Sequence, residues 1–168
     1  MPASEDKPPK PPVNARLGEL LQNDLANLAA RYVARVRSDP LIPKARSMPN
    51  AVVEDHAVSF LADLFQAIVL LERQLPEADQ KELIDDGTSI QRIIAELHGK
   101  QRHRRGFTEA ALEREYQIMR EEAETLVRLH AGDTPGAGGV SWALEVVDRY
   151  LNRARDASLV AFRAAGGK

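Results

Sequence analysis

The sequence predicts an all-α protein, a single domain of about five helices packed as a helical bundle. Apolar side chains recur at steps of three and four along most of the chain, which is the repeat of one helix face. No segment shows the alternation of a strand. Aromatic residues make up only 5% of the 168 residues. The apolar content is mainly Leu, Val, Ile and Ala, a mixture that favours helices over a β-sandwich.

The N-terminal segment differs in composition from the rest of the chain. Residues 1–13 hold five of the ten prolines, and proline removes backbone donors, so we expect a disordered Pro-rich tail. A helical domain should then occupy residues 14–168. Its first helix is predicted from Asn14, a suitable N-cap, to Arg37. The apolar stripe of this helix is Leu17, Leu21, Leu25, Leu28, Tyr32 and Val36.

The second and third helices are predicted on either side of a proline. The second spans about residues 51–75 and is ended by Pro76. A loop at residues 85–89 should precede the third helix, which spans about residues 89–105. The apolar residues of the third helix that we expect to face inward are Ile90, Ile93, Ile94 and Leu97.

A tight antiparallel hairpin should join the third and fourth helices. Gly106 is a natural C-terminal stop, and Thr108 can cap the next helix almost immediately. The fourth helix is predicted over about residues 109–130. A flexible stretch is expected at residues 132–139, where four glycines and one proline occur.

The fifth helix is predicted from a cap at Ser141 to about Ala165. Its apolar and small residues recur at alternating steps of four and three, the pattern of a coiled-coil seam. This pattern predicts a homodimer formed through the last helix. The seam consists of Val140, Leu144, Val147, Leu151, Ala154, Ser158, Ala161 and Ala165.

Charge and composition exclude several classes of protein. The formal net charge is -2, so no global positive field attracts nucleic acid or an anionic membrane. The absence of cysteine excludes disulfides, thiolate zinc sites and cysteine nucleophiles. The N-terminus lacks the apolar core of a signal peptide, and no apolar run reaches the roughly 18 residues of a membrane span. We therefore expect a cytoplasmic protein without a membrane segment.

The most informative segment is the predicted hairpin. His98 and Arg102 are four residues apart and share one helix face. Glu115 interrupts an apolar stripe on the fourth helix, where a carboxylate is costly unless it is paired. Glycine inside a helix costs roughly 1 kcal/mol relative to alanine, so Gly99 indicates a close helix contact that offsets this cost. We predict a partly buried polar network of His98, Arg102, Glu115, Tyr116 and Arg120.

Two interpretations of this network are open. It can be a structural lock that fixes the register of the two helices. It can also be a switch, in which protonation or a ligand shifts the helices. The residues alone favour the lock, because paired buried charges are often structural.

The hairpin pattern resembles a known family. His98-Gly99-x-x-Arg102-x-x-x-Gly106-Phe107, followed by Leu112-x-x-Glu115-Tyr116-x-x-Met119-Arg120, is similar to the RsbR/RsbRD-type N-terminal domain of RsbT co-antagonist proteins. That domain is the sensory part of the stressosome, and similar domains precede bacterial histidine kinases. The resemblance covers about residues 14–163.

The resemblance implies a non-heme globin-like helical fold, dimerisation, and signal transfer through the terminal helix to an output protein or domain. The chain contains no STAS-like strand pattern, no kinase histidine box and no nucleotide-binding glycine motif. It also lacks a nucleophile elbow and metal-ligand spacing. We therefore expect a non-catalytic sensor or regulatory domain that acts through protein–protein contacts, with its output in a partner or in a following domain.

Two other functions are compatible with the residues of the hairpin. A heme- or small-ligand-binding globin-like sensor needs one axial histidine, for which His98 and His103 are candidates. These two are five residues apart, and no H-E-x-x-H or C-x-x-C-H motif occurs, so we expect no metal and no cofactor. Lys100, Arg104 and Arg105 form a candidate anion-binding cluster, although basic residues are also favoured at a helix C-terminus by the dipole. Nucleic acid is not the expected partner, since the chain is slightly acidic.

Overall fold

The all-α prediction is confirmed. The structure is a computed structural model that describes residues 15–72, 77–131 and 137–167. The described residues form six α-helices and one short 3-10 helix, and they contain no strand. The helices are α1 (Ala15–Asn23), α2 (Leu25–Ser38), the 3-10 helix (Pro43–Ser47), α3 (Asn50–Glu72), α4 (Glu77–Arg104), α5 (Glu109–Ala131) and α6 (Ala137–Gly166). The predicted tail at residues 1–13 lies outside the described residues.

The predicted first helix is divided into α1 and α2 at Asp24. Asp24 has φ -94° and ψ 2°, and its carboxylate turns to neighbouring side chains. Oδ1 accepts from the Asn27 amide at 3.2 Å, and Oδ2 lies 2.7 Å from Nε2 of His130. Aspartate is a poor residue inside a helix because its side chain competes for such local bonds. The apolar stripe gave no sign of this break.

Helix α4 differs most from the prediction. The expected loop at residues 85–89 is wrong, since one helix runs from Glu77 to Arg104. A single glycine costs a helix only about 1 kcal/mol, so the turn-forming composition around Gly87 does not end it. The predicted third helix is therefore the C-terminal part of α4.

The expected inward face of α4 is wrong for Ile90, Ile93 and Leu97, whereas Ile94 packs against the core. Ile90, Ile93 and Leu97 are 58%, 55% and 47% exposed, and Ile94 is only partly buried. The buried face instead carries two small and two polar residues, namely Ala95, Gly99, His98 and Arg102. The polar residues meet a carboxylate of α5, and Gly99 allows close approach of α6.

The hairpin between α4 and α5 is confirmed. Gly106 has φ +75°, the left-handed conformation that ends helices. Thr108 Oγ1 accepts the backbone N–H of Ala111 at 3.1 Å and so caps α5. The two helices are consequently antiparallel, and residues near the end of α4 face the first half of α5.

Helix α6 begins at Ala137, four residues before the predicted cap at Ser141. The expected flexible stretch at residues 132–139 is thus wrong for residues 137–139, and its remainder lies outside the described residues. Within the chain, α6 runs antiparallel to α5 and parallel to α4. Most of the predicted seam is buried against these two helices, with Val147 and Leu151 fully enclosed.

Candidate functional site

The candidate site is the buried polar cluster between α4 and α5. His98, Arg102 and Glu115 are 1%, 0% and 0% exposed. Nε of Arg102 donates to both carboxylate oxygens of Glu115 at 3.0 Å, and Nε2 of His98 lies 3.3 Å from Oε2 of the same carboxylate. The structure therefore brings together three of the five residues predicted for the network at one carboxylate.

Arg102 also holds the start of α3. Its Nη1 donates to the carbonyl of Val52 and its Nη2 to the carbonyl of Val53, both at 3.1 Å. A second bond from Nη1 goes to the Gln101 side chain at 2.9 Å. The guanidinium also lies 5.1 Å from the centre of the Phe107 ring, in cation–π contact. Because nearly every donor has a partner, the guanidinium can be buried without water.

A kink in α3 explains why backbone carbonyls are available to Arg102. Asp55 has φ 19° and ψ -102°, which is not helical, and it lies just after Val52 and Val53. In an uninterrupted helix these two carbonyls would accept from residues four positions later. Next to the break at Asp55, both carbonyls accept hydrogen bonds from Arg102 of α4. The kink and the arginine are thus two parts of one arrangement.

The surroundings of His98 are mostly aromatic. Its ring lies edge-on to those of His56, Phe60 and Tyr116, with centroids 5.7, 6.2 and 5.8 Å away. Burial lowers the pKa of His98, although Glu115 opposes this shift, so the imidazole is neutral near pH 7. Burial alone would raise the pKa of Glu115, but His98 and Arg102 hold it below its ordinary value. The carboxylate is therefore charged.

Tyr116 connects this cluster to α6. Its hydroxyl lies 2.6 Å from Oγ of Ser158, and that Oγ donates to the carbonyl of Ala95 at 2.6 Å. A Cβ added at Gly99 would lie 2.1 Å from the carbonyl oxygen of Ser158. The predicted close contact at Gly99 is therefore made with the backbone of α6. Any displacement of α4 here must displace α6 as well.

Arg120 does not join the cluster, contrary to the prediction. Its guanidinium donates to the Asn152 side chain and lies 3.4 Å from Oδ1 of Asp148. It therefore ties α5 to α6 about one helical turn away from Tyr116. The prediction placed it correctly on the α5 face but not beside Glu115.

Sequence reasoning missed three residues of the site. Asp55 and His56 lie at the kink, and Nδ1 of His56 is 2.6 Å from Oδ2 of Asp55. These two residues could be predicted only from the kink, and the helical pattern of apolar residues in α3 gives no sign of it. Ser158 could have been noticed, because it is the single hydroxyl among the apolar and small residues of the α6 seam.

The remaining predicted candidates lie apart from the cluster. The ring of His103 packs against Phe162, 5.1 Å between centroids, so the two heme candidates do not face one space. A groove of about 720 Å³ is lined by residues of α1, α2 and α3 and includes neither histidine. Lys100, Arg104 and Arg105 are exposed toward the C-terminal end of α4.

Comparisons with protein-family models, with curated proteins and with solved structures found no match to this chain. None of the described helices is long and apolar enough to cross a membrane. The function must therefore be argued from the geometry of the cluster itself.

Proposed function

We propose that the chain is a non-catalytic sensor or regulatory domain of bacterial signal transduction, similar to RsbR-type N-terminal domains. It acts in the cytoplasm, through protein–protein contacts and its terminal helix α6. One observation carries the proposal: the Arg102–Glu115 pair contacts α3, α4 and α5, and Tyr116 next to it is bonded to Ser158 of α6.

The contacts supply a mechanical route from the cluster to α6. A change of charge or of partner at His98 or Glu115 alters the balance of bonds between α4 and α5. Packed interfaces respond to such changes by moving between discrete arrangements rather than by stretching. Gly99 and the backbone of Ser158 are in close van der Waals contact, so a movement of α4 must also move α6.

The proposal includes a homodimer and an output partner. Since the predicted seam of α6 is mostly buried inside the chain, we place the dimer contact on α4, which carries three of the six large apolar side chains that are exposed among the described residues. Ile90, Ile93 and Leu97 follow one another at steps of three and four, so they line one exposed helix face. Burial of such a face against a second copy would be favourable by the hydrophobic effect.

The test is hydrogen exchange in the full chain with the variant Glu115→Gln, which removes the charge and keeps the shape. If the network is a switch, Glu115→Gln should speed hydrogen exchange in α6 by more than the loss of global stability explains. It should also change the fluorescence emission of Trp142 on α6. Tyr116→Phe, which breaks the bond to Ser158, should prevent this effect. Glu113→Gln, an exposed neighbour on α5, is the control. A uniform rise in the exchange rate over all helices would reject the switch and show that the network only stabilises the fold.

A further inference from the structure

The kink of α3 and the buried histidine of α4 form a second cluster on the far side of His98. Asp55, His56 and His98 each offer one ligand atom, and these three atoms lie within 4.8 Å of one another. Two imidazoles and one carboxylate are the donor set of mononuclear zinc sites and of non-heme iron sites.

The polar atoms of this cluster lack conventional partners. Nδ1 of His98 is buried and makes no hydrogen bond among the described residues, and its Nε2 has only the 3.3 Å contact with Glu115. Nδ1 of His56 and Oδ2 of Asp55 are also buried and lie 2.6 Å apart without the geometry of a hydrogen bond. A buried polar atom without a good hydrogen bond costs free energy, so three such side chains meeting at one point need an explanation. A cation that accepts their lone pairs supplies it.

We propose that Asp55, His56 and His98 bind a divalent first-row transition-metal ion of the zinc class. Metal–nitrogen and metal–oxygen bonds of about 2.0–2.1 Å place tetrahedral ligands about 3.4 Å apart. The 2.6 Å contact between Asp55 and His56 must therefore open slightly. Binding thus changes the geometry at the kink of α3, where the His56 ring lies against the His98 ring of α4.

The neighbouring groups suit such an ion. Glu115 lies 3.3 Å from one nitrogen of His98, so the ring can offer its other nitrogen to the metal, as in carboxylate–histidine–metal triads. The charge of Glu115 is balanced by Arg102, which leaves the carboxylate of Asp55 as the net negative charge of the site. The side chains of His56 and Asp55 are 23% and 27% exposed, so the cluster lies close to the surface although its ligand atoms are buried.

This inference deepens the proposed function by naming a stimulus, and its signalling consequence rests on that function. The metal would join α3 to α4 next to the carbonyls that Arg102 holds. The resulting shift would reach α6 through Glu115, Tyr116 and Ser158. Binding itself does not depend on signalling and can be measured separately.

The experiment titrates the chelator-treated full chain with Zn²⁺ by calorimetry and with Co²⁺ by visible absorption. We expect one ion per chain and tetrahedral Co²⁺ bands. The partly exposed ligands are varied as Asp55→Asn and His56→Ala, which should fold as shown by circular dichroism and should weaken binding at least about 10-fold. His103→Asn, a histidine packed against Phe162 of α6, should bind as the parent does.

Absence of binding overturns the site. Binding that is unchanged in Asp55→Asn and His56→Ala also overturns it, because the ion is then held elsewhere. If one ion binds through these ligands but hydrogen exchange in α6 is unaffected, the metal site stands and the proposed signalling function fails. If Glu115→Gln shifts α6 but no ion binds, the proposed signalling function stands and the metal site fails.

Discussion

Replacement of Glu115 by alanine should be among the most destabilising changes in the protein. Arg102 would keep its bonds to the carbonyls of Val52 and Val53 and to the Gln101 side chain. It would lose both bonds to the carboxylate and the negative charge that balances it, in a position with 0% exposure. Removal of one partner from a buried ion pair costs about 3–5 kcal/mol, because the other charge stays buried alone.

Urea unfolding followed by circular dichroism measures this loss, with Glu113→Ala as an exposed control on the same helix. For a chain of this length, 3–5 kcal/mol corresponds to a fall in melting temperature of about 6–20 °C. The control should change the unfolding free energy by less than about 0.5 kcal/mol. The double variant Arg102→Met/Glu115→Leu, which removes both charges, should be more stable than Glu115→Ala. A loss below about 1 kcal/mol in Glu115→Ala would refute the argument.

Three further predictions concern the helix contacts. Gly99→Ala places a methyl group 2.1 Å from the carbonyl oxygen of Ser158. Although alanine has the better helix propensity, overpacking should lower the unfolding free energy measured in urea by about 1–3 kcal/mol. An equal or higher unfolding free energy would contradict the close contact between α4 and α6. Ile93→Glu should convert a dimer to a monomer in light scattering without loss of helicity, and an unchanged mass would exclude the α4 face as the interface. The bond from Arg35 lowers the pKa of Glu121, so the stability this carboxylate adds is complete above its ordinary pKa of 4.5 and is lost as the pH falls through the lowered value. Melting curves of Glu121→Gln should therefore depend less on pH in the acid range than those of the parent.

The sequence predicted the hairpin well because its signals are local. Gly106 and Thr108 specify a stop and a cap within three residues, and that turn places the end of α4 beside Glu115. The pairing of Glu115 with Arg102 follows, since a carboxylate in an apolar stripe needs a cation and few are within reach. Short-range rules and the cost of burying a charge were sufficient here.

The sequence did not predict which face of α4 is buried. Ile90, Ile93 and Leu97 form a helical stripe, and burial of that stripe was the natural expectation. The polar face is buried because Gly99 allows close approach of α6 and because Glu115 lies opposite His98. These are contacts between segments distant in sequence, so no periodic pattern within α4 can reveal them.

The kink at Asp55 bears on the choice between a structural lock and a switch. A structural lock needs only the Arg102–Glu115 pair and its carbonyl partners. It does not need a buried Nδ1 of His98 without a hydrogen bond, or an aspartate and a histidine whose buried atoms face each other at 2.6 Å. These features cost free energy in the absence of a ligand. They are accounted for if the cluster binds a cation and changes its geometry on doing so, which is the property that a sensor requires.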